Sequence, residues 1–232
     1  MSLSPLTPAG AVPELAFAVT GAAPVEHAAA PTLRFALRIG TLGGEPVRSV
    51  LLDCQLQIAA RRRAYDDAAR IKLFELFGPA QAWGQTLRTL LWTRTTLVVP
   101  AFSGSTTVDL DVPCSYDLDV VASRYLDALA DGTVPLELLF SGSLFYSGAD
   151  GRLQTVRIPW EREAAFDLPV AVWRETMERH FRGTAWLRLG KERFDRLAAY
   201  KAAHALPTWD AAIARTPSCT RATCCGPTGA PR

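Results

Sequence analysis

A run of four aspartates, three histidines and five cysteines are the groups in this 232-residue chain with the means to do chemistry. Asp109, Asp111, Asp117 and Asp119 occupy alternate positions of one stretch, and hard oxygen ligands sharing a face are what a calcium or magnesium ion takes. Alternate strand residues are splayed about 6–7 Å apart, whereas such an ion needs ligands folded round it, so the run reads as a solvated strand face. No metal is expected there. Cys219, Cys224 and Cys225 have the spacing C-x4-C-C, which a soft-metal carrier would use, but no C-x-x-C pair accompanies them and His204 is the one further ligand in reach.

His27 lies in an Ala-rich connection, and His180 and His204 lie in charged helical stretches where a surface role is expected. An enzyme remains the alternative: a hydrolase or transferase joining carboxylates from Asp109 to Asp119 with His180 or His204. Against it, Ser103 and Ser141 are followed by Gly but not bracketed by it, which excludes a nucleophile elbow. Gly190-Lys191 is followed by Glu192 where a P-loop needs Ser or Thr, and Gly40, Gly43 and Gly44 miss the dinucleotide fingerprint. No catalytic residue and no cofactor is expected, and the reading leans away from an enzyme.

Binding chemistry is better represented. Arg61, Arg62 and Arg63, followed by Tyr65, form the one dense basic run; they suit an acidic partner, or else a solvated corner between a strand and a helix. Of six tryptophans most should pack inside, with any functional surface near Trp160 and Trp173. These five residues are the candidate partner-binding set. With 25 basic against 23 acidic residues the net charge is +2, too balanced for a nucleic-acid or anionic-membrane surface. No apolar run approaches the ~20 residues of a membrane span, so the chain reads as soluble.

These residues need a scaffold, and the pattern supplies a β-rich one. Every even position from Val108 to Val120 is apolar or Cys114, the signature of a strand with one buried face, and Pro113 in its middle predicts an edge, bend or bulge. Residues 14–20, 32–40, 47–58, 90–99, 134–146, 152–158 and 164–168 read as further strands, about eight in all, with a hairpin at Gly43-Gly44-Glu45-Pro46. Phe102-Ser103-Gly104-Ser105 and Phe140-Ser141-Gly142-Ser143 match each other and read as two Gly-bent strands.

An inserted helix is predicted by Asp66-Asp67, an Ile71, Phe74, Phe77 stripe and the stop Gly78-Pro79; Val121 to Leu129 predicts a short crossover helix. After Pro169 the period is helical through Ile213, broken at Pro207. Strands followed by helices predict an α+β protein with a mainly antiparallel β-sandwich-like core. The expected organisation is a disordered leader at 1–13 with no charged n-region of a secretory signal, a core at 14–168, a helical cap packed on it at 169–215, and a disordered tail at 216–232. Cys54 and Cys114 among apolar strand residues read as reduced core thiols, which suggests the cytoplasm.

The strings Trp83-Gly84-Gln85-Thr86-Leu87-Arg88, Val99-Pro100-Ala101-Phe102-Ser103-Gly104, Pro113-Cys114-Ser115-Tyr116-Asp117, Pro159-Trp160, Leu168-Pro169-Val170-Ala171-Val172-Trp173-Arg174 and Leu206-Pro207-Thr208-Trp209-Asp210 resemble an uncharacterised bacterial family, domain of unknown function 6084. The likeness runs from about Glu14 to Ile213, and the cysteine-bearing tail departs from it. Genes of that family often lie beside those of uptake nickel-iron hydrogenases. The resemblance therefore implies an accessory, non-catalytic protein whose partner is a hydrogenase subunit or a maturation factor.

Overall fold

Alternation decides which strand faces meet. In β2 (Thr32–Thr41) the odd positions Leu33, Phe35, Leu37 and Ile39 are wholly buried, while Arg34 and Arg38 point away from them. The computed structural model describes residues 12–115, 117, 120–184 and 188–215. Most of the leader, the tail with Cys219, Cys224 and Cys225, and Asp119, Tyr116, Leu118 and Trp186 lie outside the described residues.

Nine strands are described, all in antiparallel pairs. A three-stranded sheet has the order β1 (Leu15–Pro24), β2, β6 (Ser105–Pro113). The six-stranded sheet is built on β3 (Pro46–Ile58) and β7 (Thr133–Ser147). The other edge of β3 carries β4 (Leu90–Val99) and the two-residue β5 (Phe102–Ser103); that of β7 carries β9 (Glu163–Pro169) and then β8 (Leu153–Arg157). The sheets bury their inner faces against each other: Phe17 of β1 stacks on Phe140 of β7 at 4.2 Å between centroids, and Phe35 meets Trp92 and Phe166 edge-on. Each wholly buried side chain of this kind contributes about 1.5–3 kcal/mol, so this seam holds the sheets together.

The antiparallel α+β sandwich agrees with the expectation, with three local differences. The Gly43-Gly44 segment is not a hairpin: β2 and β3 lie in different sheets, and the hairpin is β1–β2. Gly44 at φ 78° turns the chain across the gap instead. The long alternating strand ends at Pro113, which lacks a ladder donor; a single strand results, and Asp117 falls beyond it. The inserted helix is two short pieces, α1 (Asp67–Lys72) and α2 (Phe74–Phe77), capped by the Asp66 carboxylate on the Ala69 N–H at 2.7 Å. Its buried stripe is Ala69, Leu73 and Phe77, whereas Ile71 and Phe74 are exposed. The i, i+4 phase wins because α1 faces the core through small Ala69.

Both Phe-Ser-Gly-Ser strings are Gly-dependent bends, at φ 70° for Gly104 and 133° for Gly142. A Cβ on Gly142 would stand 2.1 Å from the Leu51 carbonyl oxygen, so β7 can pass β3 at this distance only without a side chain. A further short helix, α3 (Trp83–Thr86), precedes β4; α4 (Val121–Ala128) crosses from β6 to β7; and α5 (Val170–His180) packs on β1, β2 and β9. The chain divides into two compact units, Met1–Trp186 and Leu187–Arg232. Of the expected cap, α5 thus belongs with the sandwich. The second unit contains α6 (Lys191–Ala203) and α7 (Trp209–Arg215), joined by Phe194 on Trp209 at 5.4 Å.

Candidate functional site

The register of β2 on β6 settles what the aspartates do. Arg34 lies opposite Asp111 and next to Ala36, which faces Asp109. Its guanidinium donates two 2.7 Å hydrogen bonds to the Asp111 carboxylate and stands 3.0 Å from Asp109. The hydrogen bonds from Arg34 hold the Asp111 carboxyl below its ordinary range. Two of the four carboxylates are thus spent on a cross-strand ion pair, and the Asp117 backbone N–H donates to the Ser115 hydroxyl oxygen at 3.0 Å in a local turn. Among the described residues no cluster of three or more His, Cys, Asp or Glu is formed.

The histidines and thiols are dispersed too. His180 has Nδ1 3.1 Å from the Thr176 carbonyl and Nε2 3.2 Å from that of Ala28, so it ties α5 to the β1–β2 loop rather than facing a carboxylate. His27 stands in that loop at φ 58°, and His204 lies on Tyr200 within the second unit. Cys54 and Cys114 are free and buried; burial pushes both thiols up to about 12, which removes them as nucleophiles at neutral pH.

Arg61, Arg62 and Arg63 sit where β3 ends; Arg61 and Arg62 are exposed, and Arg61 and Arg63 each direct part of their guanidinium to backbone carbonyls. Arg61 Nε donates to the Leu87 carbonyl at 2.5 Å; Arg63 donates to the carbonyls of Thr133 and, at 2.6 Å, Asp131; Arg62 lies 3.5 Å from Glu137. Behind them Tyr65, Phe77, Trp83 and Tyr125 pack edge to face at 5.2–6.4 Å. Tyr65 Oη donates to the Ala60 carbonyl at 2.6 Å, so in the 2.7 Å bond between the two phenols Tyr125 is the donor. Desolvation raises both phenols above their ordinary range. This end of the sandwich is closed.

Trp173 is 3% exposed and cannot reach a partner. It backs a cleft of about 420 Å³ whose charges are mixed, with Lys72 and Arg174 among Asp127, Glu175 and Glu178. Arg174 is drawn to the Leu129 carbonyl and Glu175 to Arg179.

Trp160 differs from the other four candidates. It is 82% exposed, in the turn between β8 and β9. The flanking residues Ile158 and Pro159 line a groove of about 320 Å³ together with Val12, Pro13, Leu15, Leu144 and Val156. Arg162 and Glu14, paired with each other, and Arg157 complete the wall. Leu144 lies opposite Val156 in the ladder, so the floor is the inner face of the six-stranded sheet beside the start of β1. The signal for this site was a tryptophan after a proline between two strands; Val156, Arg157 and Arg162 carried none, because only the register brings them to the groove.

The model of a family of unknown function (DUF6084) matches residues 12–221, and the chain belongs to that family. No curated protein matches the chain. Among solved structures it is similar to the CARDB domain of a Pyrococcus furiosus protein in complex with di-metal ions, at 10% identity over 68% of this chain and 92% of that one, TM-score 0.26. A putative ApaA protein from Bordetella pertussis matches at 14% identity over 71% and 98%, TM-score 0.24. Beta-glucosidase 3B from Thermotoga neapolitana in complex with glucose matches at 15% identity, over 67% of this chain and 17% of that one, TM-score 0.25. Similarity this low carries no argument about activity.

Proposed function

We propose that this member of the DUF6084 family is a non-catalytic interaction protein that works in the cytoplasm and contacts a protein partner through Trp160 and the adjoining groove. The observation that carries the reading is the 82% exposure of Trp160 at the lip of an apolar groove. An indole left in water forgoes about 1.5–3 kcal/mol of burial, and aromatic anchors beside pockets dominate binding energy at interfaces. The groups a catalyst would use point the same way, since Arg34, Arg61, Arg63, His180, Cys54 and Cys114 are all engaged in or buried by the fold. Free thiols at Cys54 and Cys114 support a reducing compartment. No helix among the described residues is long and apolar enough to cross a membrane.

The partner class we propose is a nickel-iron hydrogenase subunit or one of its maturation factors, following the family resemblance. Tagged wild-type protein and its Trp160→Ala variant, each purified from hydrogen-oxidising cells, test this together. Recovery of a hydrogenase component with the wild type and its loss from the variant is the expected result. Recovery of neither a subunit nor a maturation protein overturns the partner class, and undiminished recovery by Trp160→Ala overturns the surface.

A further inference from the structure

The edge strands of the sandwich are unequally covered. β1 lies against β9 and α5, β4 lies against α4 and β6, and β6 lies against β4 and β5. β8 packs chiefly on β7, and among the described residues no backbone bond joins Leu153 through Arg157 to any element besides β7. Such an edge presents a row of donors and acceptors to whatever strand arrives. The pleat of β8 assigns its two faces. Val156, opposite buried Leu144, faces the groove; Gln154, on the same side of the strand, accepts from the Tyr146 hydroxyl at 3.1 Å; Leu153, Thr155 and Arg157 lie on the other side and are exposed, with Arg157 at the groove's rim. Arg157 has no ion-pair partner among the described residues, unlike Arg152 and Arg162, which pair with Asp150 and Glu14.

Resting on the reading that this end is the contact surface, we infer that the partner supplies an extended acidic segment, added as an antiparallel strand to the free edge of β8. In that register, alternate apolar side chains of the incoming strand enter the groove over Val156 and Leu144. The side chains between them lie on the outer face beside Arg157, where a carboxylate is the complementary charge. Backbone bonds to β8 give affinity, the groove selects small or branched apolar residues, and Arg157 selects the acidic ones.

The test uses the full chain and three end-blocked, fluorescently labelled heptapeptides. One alternates valine with glutamate, one alternates valine with lysine, and one is the glutamate peptide N-methylated at alternate residues to remove its strand bonds. Saturable anisotropy for the glutamate peptide is expected, with binding at least about tenfold weaker for each of the other two and for Arg157→Ala with the glutamate peptide. Amide exchange should slow at 153–157 when the glutamate peptide binds. Absence of saturation, equal binding of the lysine or N-methylated peptide, or protection on β4 in place of β8 overturns the inference. If Trp160→Ala abolishes partner recovery while the peptides fail, strand addition falls and the surface stands; if partner recovery is indifferent to Trp160, the surface itself falls.

Discussion

The two ends of β7 carry the same residue types, arginine and tryptophan, with opposite outcomes. Near Thr133, Arg61 and Arg63 direct their donors to backbone carbonyls, and Trp83 lies inside a ring of Tyr65, Phe77 and Tyr125, its indole N–H bonded to the Gly78 carbonyl at 2.9 Å. Near Ser143 to Ser147, where β8 pairs, Trp160 stands in water and Arg157 has no partner among the described residues. The difference teaches that an Arg–aromatic cluster is recognition chemistry only where its hydrogen-bonding capacity is unspent. At the closed end Arg61 and Arg63 direct part of it to backbone carbonyls, and the aromatics are packed against one another.

Truncation of one aromatic at each end gives the largest contrast. Tyr125→Ala opens a cavity among three rings and should cost about 3–5 kcal/mol in urea unfolding, whereas Trp160→Ala should change stability by no more than about 0.5 kcal/mol. Comparable losses at both ends would break the comparison. The arginines come next. Arg63→Ala loses its two charge-assisted bonds to the Asp131 and Thr133 carbonyls and should cost about 1 kcal/mol, while Arg157→Ala should leave the unfolding midpoint unmoved and act on binding alone.

At neutral pH the smallest effect is that of ionising the buried thiols, which acts only in alkali. Cys54 and Cys114 titrate near 12 in the folded chain against about 8.5 when unfolded, so the unfolded state sheds its protons first. Stability from this source is complete below about pH 8.5 and declines as pH rises toward 12. Denaturation followed across that range should show a decline that is shallower in the Cys54→Ala, Cys114→Ala double variant. An equal slope in the double variant would mean that the thiols are not sealed.

Much of the sandwich was legible because period two survives in the residues themselves: Leu33 to Ile39 and Val108 to Val112 announce their buried faces without knowledge of neighbours. Strand partnership was not legible, since Gly43-Gly44 has the chemistry of a turn whether the following strand joins the same sheet or the other one. The phase of the inserted helix was missed because small Ala69 gives no apolar signal beside Ile71 and Phe74. For the site, Trp160 was visible as a type, and Trp173, equally aromatic, proved to be core. Arg61 and Arg62 are exposed, as a solvated corner requires, but the bonds of Arg61 and Arg63 to backbone carbonyls leave no mark in a sequence. Val156 enters the groove through pairing with Leu144 of β7, and the same register puts Arg157 on the other side of the strand.

The measurement that tests the central claim most directly is hydrogen exchange by mass spectrometry on the captured complex against the free chain. The account predicts slowed exchange confined to residues 153–162, with the Arg61 to Tyr65 segment unchanged. Protection centred on residues 60–90 or 191–215, with 153–162 exchanging as in the free protein, would contradict it.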